Sequence, residues 1–255
     1  MDKNKKTLVF PKEHGSWALT FEPLTLALLI APSWNGVLLF LGSAFAFFAH
    51  PSAKMVLASR FKHKTALLYF LSFSIPAVLF LAWFVSRTSY PVYLPLLFAL
   101  GLMVLYLLLE VANLDRELLT ELMASIAMGL IALSVVVSGG MDWVKGYSFL
   151  ALLYSRSLMT TVYVHYRLLK LKNRLQSVFV NNALHALDFI LILFLWYRHW
   201  IPFLGVAAVL ILTVRAFLGV SSKAGKTTVR KLGFQEVYFG LSFLVLVVLG
   251  YWLGL

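Results

Sequence analysis

Pro11-Lys12-Glu13-His14-Gly15-Ser16-Trp17 runs straight into the first long apolar stretch of the chain, and this junction decides the fold. Lys12 and Glu13 suit a headgroup-level entrance, Gly15 offers a small surface for close helix approach, and Trp17 is an amphipathic interfacial ring. Everything downstream is apolar helix broken by short basic segments. The junction has two readings. It is a membrane anchor with a helix start, or it is a polar site, because Glu13, His14 and Glu22 fall at interface or bilayer depth, where ionisable groups are costly. On the second reading Glu13 and His14 are the candidate catalytic acid–base residues.

Composition agrees with a membrane fold. The 255 residues are 61% hydrophobic and 13% charged, against roughly a quarter charged in soluble domains. The absence of cysteine excludes disulfides and thiolate chemistry. A net charge of +12 would suit nucleic acid if it were clustered. Here the cations occupy short loops between apolar stretches, so no nucleic-acid partner is expected. Glu22 and Pro23 interrupt the first apolar run, which argues against a cleavable signal peptide.

At roughly 20 mostly apolar residues per crossing, the sequence predicts about nine spanning helices, near 15–32, 36–58, 66–86, 91–110, 119–138, 143–166, 178–197, 201–219 and 234–254. The expected fold is an all-α polytopic membrane bundle, a single domain over 1–255 with a short basic N-terminus at 1–13. Orientation follows from the cations. With the N-terminus in the cytoplasm, one side collects Lys3 to Lys12, Lys54 to Lys64, Arg116, Arg167 to Arg174, Arg215 and Lys223 to Lys231, while the other keeps only Arg87, Lys145 and Arg198, with Arg156 inside a span. The C-terminus then lies outside. Pro32, Pro91 and Pro202 fall near span boundaries, and Pro23, Pro51, Pro76 and Pro95 predict kinks.

The sixth span carries the most informative polar pattern. Arg156, Thr160, Tyr163, Arg167, Lys170 and Arg174 recur at spacings of four, three, four, three and four, which puts them on one helix face. Arg156 lies about three turns inside the cytoplasmic flank, so it needs a partner or a ligand. Lys54 is early for a flanking charge, and Arg60 follows it. Between the fourth and fifth spans, Glu110, Asn113, Glu117 and Glu121 share a helical face. Glu117 and Glu121 are candidate ligands for a hard cation such as magnesium, although pairing with neighbouring basic loops is favoured. Asn181, His185 and Asp188 share a face of the seventh span and suit interhelical hydrogen bonds or a ligand.

The opening heptapeptide resembles the signature of the YwiC-like family of bacterial membrane proteins, with fainter echoes in Arg116-Glu117-Leu118-Leu119-Thr120-Glu121 and Lys231-Leu232-Gly233-Phe234-Gln235-Glu236. The resemblance implies an integral protein of the bacterial cell membrane and carries no assigned chemistry. The helix number and orientation are also similar to UbiA-type intramembrane prenyltransferases. In those, aspartate-rich motifs near the ends of the second and sixth helices hold magnesium and a prenyl diphosphate. This sequence departs from them, since His50 to Arg60 and Tyr154 to Arg174 contain no aspartate and are basic instead.

Three functional readings follow. In the first, Lys54, Arg60, Arg156, Tyr163 and Arg167 line a cytoplasm-facing cavity and bind a prenyl-diphosphate-like or other anionic lipid directly. Transfer onto an acceptor and binding without chemistry both fit those residues. In the second, Glu22, Arg156, His185 and Asp188 form the polar path of a proton-coupled transporter. In the third, the chain is a non-catalytic assembly subunit.

Overall fold

The computed structural model describes residues 14–112, 118–172, 177–221 and 228–255. Among them are nine α-helices: α1 (His14–Ile30), α2 (Trp34–Ala58), α3 (Lys64–Arg87), α4 (Tyr90–Val111), α5 (Leu118–Ser138), α6 (Trp143–Leu171), α7 (Val178–Tyr197), α8 (Phe203–Val220) and α9 (Val229–Leu253). Seven of these described helices are long and apolar enough to cross a bilayer, α1 and α6 being the exceptions. The apolar part of α1 is shorter, and the 29 residues of α6 include Lys145, Arg156, Arg167 and Lys170. Large apolar side chains face outward, among them Leu68, Ile75 and Leu79 of α3 and Leu187, Ile190 and Phe194 of α7. Surfaces of that kind belong against lipid tails. The chain is a polytopic, all-helical membrane protein.

Local chemistry sets the helix ends. Ser33 Oγ accepts from the Gly36 amide at 3.0 Å to cap α2, and Asp142 Oδ1 accepts from the Lys145 amide at 3.0 Å to cap α6. Thr228 Oγ1 does the same for α9, accepting from the Lys231 amide at 3.2 Å. Pro91 stands in the first turn of α4 and Pro202 just before α8, where no amide hydrogen is needed. The prolines at 23, 51, 76 and 95 lie inside α1, α2, α3 and α4, and none of them interrupts its helix.

Contacts group the chain into two compact units, Met1–Met141 and Asp142–Leu255, a division that hydropathy does not mark. In the first unit α2 packs along α3, and α5 packs against α1, α2 and α4. Most of α5 is buried, including the small residues Ala124, Ala127, Gly129 and Ala132, which let neighbouring backbones approach closely. In the second unit α8 packs against α6, α7 and α9, and α6 reaches the other three.

A close approach in the first unit follows α5. A Cβ on Gly139 would stand 2.5 Å from the Ala31 carbonyl oxygen and 2.9 Å from the Ala31 Cβ. Backbone cannot yield as a flexible side chain does. Gly139→Ala is therefore expected to lower stability by about 1–3 kcal/mol. Thermal unfolding in detergent checks this, with Gly101→Ala as control, since a Cβ there meets nothing within 4 Å.

Candidate functional site

The stripe on α6 meets α8 and α9 around two buried arginines. Arg156 is 7% exposed and Arg215, from α8, is 8% exposed. Arg215 Nη1 donates to Glu236 Oε2 of α9 at 2.5 Å, and its Nη2 donates to Thr160 Oγ1 at 3.2 Å. Arg156 Nη1 donates to the same hydroxyl oxygen at 2.7 Å and lies 3.7 Å from the same carboxylate oxygen. Its Nη2 donates to the Glu236 backbone carbonyl at 3.2 Å. One carboxylate and one hydroxyl thus bind two guanidiniums from separate helices. The Arg215 guanidinium also lies 4.4 Å from the Tyr163 ring centre and 5.1 Å from that of Phe239, a cation–π arrangement at both rings.

Tyr163 is held by what α8 lacks at position 219. A Cβ on Gly219 would fall 2.4 Å from the phenol oxygen, so glycine alone leaves room for the ring. Arg167 donates to the Gly219 carbonyl, and Lys170 donates to the Ser221 carbonyl at 2.6 Å. These two cations neutralise the carbonyl end of α8, which gives Arg167 structural work besides any contact with a ligand. Tyr163, buried at 4% exposure, lies within the fields of Arg215 and Arg167.

The predicted face of α7 completes the polar seam. His185 Nδ1 donates to the Asn181 carbonyl at 2.8 Å, and Asp188 Oδ1 accepts from Ser155 Oγ of α6 at 2.8 Å.

The remaining expected residues are dispersed. Lys54, in the first unit, pairs with Glu110 Oε1 of α4 at 3.0 Å. His50, one turn before Lys54, brings Nε2 to 2.7 Å from Glu110 Oε2, a close approach without hydrogen-bond alignment. Glu110 therefore turns to α2. Arg60 is exposed and occupies a left-handed turn, with φ of 50° followed by 63° at Phe61. Its backbone closes the link between α2 and α3. Glu121 is exposed in the first turn of α5. Glu13 and Glu117 lie outside the described residues, and although His14 begins α1, its side chain does too. Among the described residues no three of His, Asp and Glu converge as a metal site would require.

Composition-based reading does not single out Arg215 or Glu236. Arg215 counts as one more cytoplasmic cation, and Glu236 closes a faint motif. A usable signal was present, since Arg215 lies within the apolar run of α8 and Glu236 near the start of that of α9. Opposite charges on two spans call for pairing.

Glu236→Gln leaves the buried Arg215 without its carboxylate, and a loss of about 3–5 kcal/mol is expected. Thermal unfolding in detergent measures it. An unchanged midpoint would show that the ion pair contributes no net stability.

Residues 10–136 match the family model described as YwiC-like protein. No curated protein and no solved structure matches the chain. The family match ends within α5, so the arginine cluster of the second unit lies beyond it.

Proposed function

Through residues 10–136 the chain belongs to the YwiC-like family, and we propose that this multi-pass membrane protein binds the phosphate or diphosphate headgroup of an anionic lipid, prenyl diphosphates included, in its second unit. One observation carries the reading. The Nε atoms of Arg215 and Arg167 are both buried and have no hydrogen-bond partner. The Arg215 guanidinium lies over the Tyr163 ring, and the positive charge of Arg167 also acts on that side chain. A buried N–H without an acceptor is costly, and guanidinium forks match phosphate oxygens better than any other side chain does. Tyr163 adds a hydroxyl group, and Arg156 adds positive charge alongside.

The lipid tail would lie on the outward apolar faces of α8 and α9, where Leu218, Phe234 and Val237 are exposed. With the orientation that the cations imply, the headgroup site lies towards the cytoplasmic side of a bacterial cell membrane. Binding alone satisfies this reading. Transfer of a prenyl group would need an acceptor site besides.

Native mass spectrometry of gently purified protein tests the proposal, with geranylgeranyl diphosphate and phosphatidic acid as separate arms. Magnesium is varied in both. Retention of a phosphate-bearing lipid should fall by about tenfold or more in Arg215→Lys and Arg167→Gln, as expected when a charge-assisted hydrogen bond is lost. The arm retained more strongly identifies the headgroup class. Equal retention in wild type and both variants would overturn the proposal.

A further inference from the structure

His185 has one free lone pair where a proton could sit. The residue is 1% exposed on α7, and its Nδ1 lies 2.8 Å from the Asn181 carbonyl oxygen. A carbonyl can only accept, so Nδ1 carries the hydrogen and Nε2 is the unprotonated nitrogen. Nε2 is buried and makes no hydrogen bond. The surroundings decide when it would take a proton. From α8 the charged group acting on the ring is Arg215, and from α6 the Met159 backbone adds a second acceptor beside the ring. Asp188 lies about one turn further along α7, held by Ser155 of α6. Behind Arg215 stand Arg156 and Tyr163 of α6 and Glu236 of α9.

The positive charge of Arg215 opposes a second positive charge on His185, and an anion at Arg215 offsets it. Resting on the anion site proposed above, we infer that His185 takes up a proton at Nε2 as the anion binds. The second unit then binds anion and proton together. The imidazolium so formed has the Asn181 carbonyl at Nδ1, the Met159 backbone beside the ring and the Asp188 carboxylate a turn away. Joint binding keeps the net charge of the occupied, low-dielectric site closer to neutral.

The test is isothermal titration calorimetry of the full-length protein with geranyl diphosphate, in two buffers of unlike ionisation enthalpy at about pH 7.5, above the ordinary histidine range. Wild type should take up to about one proton more per anion than His185→Gln, while His185→Gln and Asp188→Asn still bind the probe. Asp188→Asn should keep the uptake. Loss of uptake in Asp188→Asn but not in His185→Gln would move the proton to Asp188 and overturn the assignment. Equal proton counts in wild type and His185→Gln, with binding intact, would overturn this inference and leave the anion site standing. No binding by wild type would overturn both. Should His185→Gln not fold, wild type labelled with ¹⁵N-histidine decides the matter. Addition of the probe should convert one buried ring nitrogen from lone pair to N–H, and an unchanged spectrum would overturn the inference.

Discussion

The contact between Arg215 and Glu236 joins α8 to α9 at 2.5 Å and is a constraint the second unit is built around. An unpaired charge at membrane depth costs several kcal/mol, so neither residue is tolerable without the other or a substitute. Once the pair is fixed, its neighbours follow. Thr160 accepts from both arginines, which sets the rotation of α6. Tyr163 and Phe239 cover the Arg215 guanidinium and exclude other donors and acceptors from its faces. Buried guanidinium is costly to maintain unless something is gained from it. The electrostatic stress at this point suits a site that meets negative charge.

The first unit resolves the same problem differently. Glu110 of α4 receives Lys54 and His50 from successive turns of α2, so an ammonium and an imidazole of one helix hold a single carboxylate of another. The three side chains range from 12% to 36% exposed, more open than the arginine pair. Such a clasp fixes the rotation of α2 against α4 where apolar packing alone leaves a helix free to turn.

How much of this was legible in the sequence depended on whether a signal was local. Helix positions follow from hydropathy because each span satisfies its own backbone hydrogen bonds within the bilayer. The face shared by Arg156, Thr160, Tyr163 and Arg167 follows from the 3.6-residue period. Which helix that face meets does not, because partner choice rests on packing between distant segments. Hence Glu110 groups by sequence with Glu117 and Glu121 yet pairs with α2. Hence too Arg60, taken from its charge as a ligand, serves the turn through its backbone. The role of Gly219 was equally hidden, since one missing side chain leaves no periodic trace.

That glycine offers a way to tune the arginine site without changing a charge. The phenol of Tyr163 occupies the volume where any side chain at position 219 would begin. Adding even a methyl group there displaces the ring and uncovers one face of the Arg215 guanidinium. The local dielectric around that charge would rise while no charged residue is replaced. Side-chain volume at position 219 therefore acts as a rheostat for the polarity of the site.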